Sequence, residues 1–192
     1  MQWISKKQCI RTLTLMQIKV LSPLILCNFN LAYPVATHLT DLKQSLYQEI
    51  AQQAQSLLAG ERDLIANMAN LSALLFMRLD DVNWAGFYLL KDNELVLGPF
   101  QGKPACIRIP MGKGVCGTAA QRGEIQLIED VHAFAGHIAC DAESNSEVVL
   151  PFYQNGVLLG VLDIDSTIIG RFDQDDVNGL CRVVNILQEA IK

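Results

Sequence analysis

No apolar run in this sequence reaches the roughly 18 residues a membrane span requires, so no membrane-spanning helix is expected. No run of Lys or Arg is long enough to track a phosphate backbone, and the formal net charge is −5; nucleic acid is not an expected partner. No two cysteines stand at C-x-x-C spacing. Structural zinc sites normally rest on such short pairs, so no metal is expected, although Cys106, Cys116, Cys140, His132 and His137 could each supply a ligand. Gly112-Lys113-Gly114 invites comparison with a phosphate loop. The Walker spacing and its Lys-Ser/Thr pair are absent, which leaves a strand-to-helix turn as the plain reading. No internal repeat is visible.

The 192 residues are 51% apolar, enough to build a core in one domain. There are six cysteines: Cys9, Cys27, Cys106, Cys116, Cys140 and Cys181. In a small secreted chain that number suggests a disulfide framework. This chain is too large and too apolar to need one, and its cysteines are far apart. A reducing, cytoplasmic compartment with a few working thiols fits better. Residues 1–40 show little periodicity. Lys6, Lys7, Arg11 and Lys19 precede an apolar stretch over 20–27, the order of a secretory signal. Ser22-Pro23 and Asn28 interrupt it and no small-x-small cleavage site follows, so this segment is read as an extension, disordered or from an upstream start codon. The folded domain is expected over 41–192.

Within that domain Leu42, Leu46, Ile50, Ala54, Leu57 and Leu58 recur at helical spacing, with Thr40 as N-cap and Gly60 as stop. Leu64, Met68, Leu71, Leu75 and Leu79 form a second stripe. The period then changes to that of strands. A hairpin over 84–97 turns at Asp92-Asn93, and Gly98, Pro99 and Gly102 suggest an irregular loop. A short strand over 106–109, a short helix over 115–122 and a strand over 125–128 follow. A polar loop over 129–146 leads into a second hairpin, 147–153 and 157–165, around Asn155-Gly156. Asp173, Asp175 and Asp176 open a last helix, where negative charge suits the N-terminus. Its stripe is Val177, Leu180, Cys181, Val184, Leu187 and Ile191, which makes Cys181 a core residue. Hairpins with flanking helices give an α/β chain of the α+β type, with a central, mostly antiparallel sheet.

Cys140 sits in the long polar loop, where a thiol can be exposed and reactive; His132 and His137 are close in sequence. A half-buried structural thiol is an equal alternative on position alone. The carboxylates say more. If the second hairpin is regular, Val157, Leu159, Val161, Asp163 and Asp165 share one face, so an apolar face ends in two acids. The turn brings positions near 147 and 165 together, so Glu147, Asp163 and Asp165 could converge. Crowded carboxylates raise one another's proton affinity, and one of them could then stay protonated and donate. A solvated strand end is the alternative.

Five blocks carry a recognisable pattern: Asn83-Trp84-Ala85-Gly86-Phe87-Tyr88, Leu97-Gly98-Pro99-Phe100-Gln101-Gly102, Gly112-Lys113-Gly114-Val115-Cys116-Gly117, His137-Ile138-Ala139-Cys140-Asp141 and Leu162-Asp163-Ile164-Asp165-Ser166. Together, and in this order, they closely resemble the free methionine-R-sulfoxide reductases, single GAF-domain enzymes. The resemblance covers roughly residues 41–192. It implies reduction of free L-methionine (R)-S-oxide with no bound cofactor. Cys140 would attack the sulfoxide sulfur and become a sulfenic acid. Cys106 would resolve it to a disulfide, with Cys116 as alternative or relay, and thioredoxin would recycle the enzyme. Glu147, Asp163 and Asp165 match pocket acids that would hold the substrate ammonium and hydrogen-bond the sulfoxide oxygen. Trp84 and Tyr88 match the aromatic wall for the methyl-thioether end. A homodimer is also implied. The competing readings are a GAF-type sensory module that binds a small ligand without turnover, and a simple protein-interaction domain.

Overall fold

A computed structural model describes residues 35–192 except His137, Ala139 and Cys140, with side chains from Asp41 onward. The expected extension therefore lies, up to residue 34, outside the described residues. Four helices are present among them: α1 (Val35–Leu58), α2 (Leu64–Arg78), α3 (Gly114–Arg122) and α4 (Gln174–Ala190). Six strands, β1 (Val82–Lys91), β2 (Glu94–Gly102), β3 (Arg108–Pro110), β4 (Gln126–Ile128), β5 (Ser146–Gln154) and β6 (Val157–Ser166), form one antiparallel sheet in the order β3-β2-β1-β6-β5-β4. The two predicted hairpins are β1–β2 and β5–β6. A 3₁₀ turn, Val131–Ala133, punctuates the predicted long loop. No helix of the described residues is long and apolar enough to cross a membrane.

Alternation along the strands divides the core in two. Ala85, Phe87, Leu89, Val148, Leu150, Phe152, Leu162 and Ile164 point to one face and pack with α1, α2 and α4. Trp84, Tyr88, Val149 and Val161 point to the other, which α3 covers with Val115, Cys116, Ala119 and Ala120. Polar locks join the helices. Asp176, almost wholly buried, accepts from Tyr47 Oη at 3.0 Å and from Lys43 Nζ at 2.5 Å, while Asp173 caps α4 through a reciprocal capping box.

Three local expectations are corrected. Helix α1 does not start at Thr40; it already runs from Val35, immediately after Pro34 in the sequence, a residue with no N–H to contribute to the ladder. The expected irregular loop at Gly98-Pro99-Gly102 is part of β2. Gly86 pairs with Phe100 but Tyr88 pairs with Leu97, so one extra residue bulges at Gly98-Pro99, and the Pro99 carbonyl accepts from Ser72 Oγ on α2. The expected unbroken odd face of β6 is interrupted as well. Phe152 pairs with Gly160 and Tyr153 with Leu158, so Leu159 joins the helix-side core while Val161 stays on the α3 side. Gly160 permits this: a Cβ there would stand 2.0 Å from the Tyr88 carbonyl oxygen.

Candidate active site

The register of the three central strands builds the site. Trp84 pairs with Asp165, and Asp165 pairs with Glu147; one rank further, Gly86 pairs with Asp163, and Asp163 with Val149. All three predicted acids therefore reach the face covered by α3, and the one-residue shift between Phe152 and Tyr153 is what sets Glu147 opposite Asp165. The first turn of α3 closes over them. Gly117 packs so tightly on β3 that a Cβ would lie 2.4 Å from the Pro110 carbonyl oxygen. That approach brings Cys116 onto the acids, with its Sγ donating to Glu147 Oε1 at 3.7 Å.

Cys116, Ile138, Asp141, Glu147, Asp163 and Asp165 line a cavity of about 30 Å³, room for about one water. Asp141, Asp163 and Asp165 are shared with a smaller lobe of about 10 Å³, walled by Trp84, Tyr88, Pro104 and Ala105. The aromatic wall is thus both core and lining. Trp84 stacks on Phe100 at 5.2 Å and on Tyr88 at 5.8 Å between ring centroids. Its Nε1 donates to the Lys103 carbonyl at 3.2 Å, and Tyr88 Oη donates to the Cys106 carbonyl at 3.0 Å, so both rings pin residues 103–106 over the lobe.

Burial and mutual repulsion set the protonation of the floor. Glu147 is pushed well above the usual carboxylate range by burial, then by Asp163 and Asp165. Burial, then Asp163 and Asp141, does the same to Asp165. Asp163 is pushed up by burial only to about 6, because hydrogen bonds from Cys116, Glu147 and the Ile164 N–H favour its charged form. The Cys116 thiol is driven well up by burial and by Asp163 and Glu147. It is a proton-bearing thiol here and a poor nucleophile. One carboxyl oxygen, Asp163 Oδ1, is buried without a hydrogen-bond partner. It leaves an acceptor open to an incoming group.

The roof brings in residues that the sequence motifs contained without a role. Asp141 accepts from the Glu143 N–H at 3.0 Å and from Asn83 Nδ2 at 3.2 Å, and its Oδ2 lies 3.5 Å from Lys103 Nζ. The Glu143 N–H, helped by Lys103 and Asn83, holds its carboxyl below the usual range. Asn83 also donates to Ser144 Oγ at 3.0 Å. Asn83 opens the first motif block and Asp141 closes the fourth, so their blocks were visible, but their pairing across 58 residues was not.

Among the cysteines, Cys106 is disulfide-bonded, whereas Cys116 and Cys181 are free, so neither of these is its partner. Cys181 is half-buried on α4 against the helix-side core, as its stripe suggested. The expected nucleophile Cys140 and its neighbour His137 lie outside the described residues; Ile138 and Asp141, which flank Cys140 in sequence, line the cavity. His132 is not brought to the pocket. Its exposed ring sits 2.8 Å from Asp130.

Comparison with known proteins agrees with this architecture. The GAF domain family model matches residues 43–191. Free methionine-R-sulfoxide reductase of Escherichia coli (strain K12) is 56% identical over 149 residues, covering 78% of this chain and 90% of that protein. The enzyme of the same name from Saccharomyces cerevisiae is 40% identical, covering 77% and 87%. The X-ray structure of free methionine-R-sulfoxide reductase from Neisseria meningitidis in complex with its substrate superposes with a TM-score of 0.75 at 43% identity, covering 78% of this chain and 90% of that one. The fold, the acid-floored pocket and these likenesses agree: the chain belongs to the GAF-domain family of free methionine-R-sulfoxide reductases.

Proposed function

We propose that this chain reduces the R epimer of free L-methionine sulfoxide to methionine, with Cys140 as nucleophile. The observation that carries the reading is the pocket itself. Two buried acids, Glu147 and Asp163, with the half-buried Asp165 and a thiol, face an aromatic wall under a roof whose residues flank Cys140 in sequence. Carboxylate suits the substrate ammonium, and the rings of Trp84 and Tyr88 suit its methyl-thioether end.

The Cys140 thiolate attacks the sulfoxide sulfur. The sulfur–oxygen bond breaks, methionine leaves with two electrons, and the oxygen ends on Cys140 as a sulfenic acid. A protonated pocket carboxyl supplies the proton that this oxygen takes up; the raised proton affinities of Glu147 and Asp165 keep such a donor available at neutral pH. The Cys106 thiol then condenses with the sulfenic acid. A disulfide forms and water departs. That Cys106 is bonded while Cys116 is a buried free thiol supports Cys106 over Cys116 as the resolving residue. The dithiol of thioredoxin reduces the disulfide by exchange. No bound cofactor enters this scheme, and its reductant places it in the cytoplasm, working as a homodimer.

The test is direct. Purified protein given free methionine-R-sulfoxide with thioredoxin or dithiothreitol should release methionine, leave the S epimer untouched, and lose turnover in Cys140→Ser. A protein that binds the sulfoxide without turning it over would be the sensory module instead. Turnover unchanged in Cys140→Ser would remove the assigned nucleophile.

A further inference from the structure

We propose that Cys116, Glu147 and Asp163 form a binding site for a thiophilic divalent cation of the zinc class on the pocket floor, and that occupancy blocks the pocket. The ligand set differs from the Cys/His set weighed from sequence. One donor comes from each of α3, β5 and β6, and a ligand atom of each lies within 4.8 Å of the other two. All three side chains are buried, so the sheet and the first turn of α3 hold them in place without the metal.

Distances suit a small cation. Zinc bonds of about 2.3 Å to sulfur and about 2.0–2.2 Å to oxygen, at a tetrahedral angle, require sulfur and oxygen to stand roughly 3.6 Å apart. Cys116 Sγ and Glu147 Oε1 are 3.7 Å apart. Asp163 supplies a buried oxygen that has no hydrogen-bond partner. Among the described residues lining the cavity there is no Lys, Arg or His, so no basic side chain lines the floor. A thiolate with two carboxylate oxygens is too soft and too small a set for calcium or magnesium, and it leaves the fourth tetrahedral position open to water. Binding exchanges the thiol proton and any carboxyl protons for metal–ligand bonds and releases those protons to solvent.

The geometry stands without the reductase reading; only the blocking effect rests on it. The experiment is a titration of the reduced full chain with cobalt(II), in the absence of substrate. Thiolate-to-cobalt absorption in the near ultraviolet should saturate at one equivalent and be displaced by zinc. Cys140→Ser should keep the band. Cys116→Ser should abolish it. Asp163→Asn should weaken cobalt binding by at least the ~10-fold that even outer-shell changes cost, with circular dichroism confirming that each variant is folded. No band in the wild type, a band that survives Cys116→Ser, or one lost in Cys140→Ser would overturn the site. Zinc should also stop methionine release at the concentration that displaces cobalt; turnover at saturating zinc would overturn the blocking effect alone.

Discussion

Replacing Asp163 by Asn should make the fold less sensitive to pH, with a predictable sign and size. In the native protein the Asp163 carboxyl is held up from its ordinary 3.8 to about 6, chiefly by burial. The folded state therefore binds this proton more tightly than the unfolded chain does. Well below pH 4 both states are protonated and the group costs nothing. As pH rises toward 6 the unfolded chain ionises first, and stability falls. Well above 6 both states are ionised and the loss is complete, at about 3 kcal/mol in all. Glu147 and Asp165, raised further, extend the decline to higher pH. Urea unfolding of the wild type and of Asp163→Asn between pH 4 and 8 reads the Asp163 share together with the relief of Glu147 and Asp165, whose proton affinities its charge helps to raise; both act in the same direction. The variant should gain about 2 kcal/mol or more relative to the wild type between pH 4 and 7, at least roughly 4–8 °C in melting temperature for a domain of this size. A difference that is flat across this range, or that moves the other way, would refute the claim that the pocket floor is a set of strained, desolvated acids.

Other consequences can be read more briefly. Gly179→Ala should destabilise the fold by about 1–3 kcal/mol in denaturant melts, because a Cβ there would meet the Tyr47 ring at 2.0 Å; at an ordinary helix position the same change stabilises. Asp173→Ala removes the α4 cap and one partner of Lys43 and should cost about 1 kcal/mol by the same assay. Glu147→Gln should lower kcat by about 10²-fold or more, the usual worth of a positioned proton donor, while circular dichroism stays native. Mass spectrometry after one equivalent of sulfoxide should find Cys140 linked to Cys106; a link to Cys116 alone would reverse the order of the two thiols.

Most of the frame was legible because it rests on local rules. Helical stripes, the Asn155-Gly156 turn and the acids at Asp173 and Asp176 each signal structure within a few residues. The approach of Glu147 and Asp165 was legible in outline, since the turn brings both strand ends together, but the one-residue shift between Phe152 and Tyr153 that sets them opposite each other was not. What escaped depends on neighbours distant in sequence. The break at Leu159-Gly160 arises where the Tyr88 carbonyl of another strand presses on Gly160. The Gly98-Pro99 bulge is fixed in part by Ser72 on α2. The Asn83–Asp141–Lys103 roof joins three segments that no periodicity links. Protonation of Cys116 was equally hidden, because it is decided by acids on β5 and β6.

The most direct test of the central claim is a single turnover without reductant. One equivalent of free methionine-R-sulfoxide, added to the fully reduced protein, should yield one methionine per chain. Two thiols should vanish together, and both losses should be absent in Cys140→Ser. Methionine formed with no loss of thiols, or no methionine at all, would contradict the account.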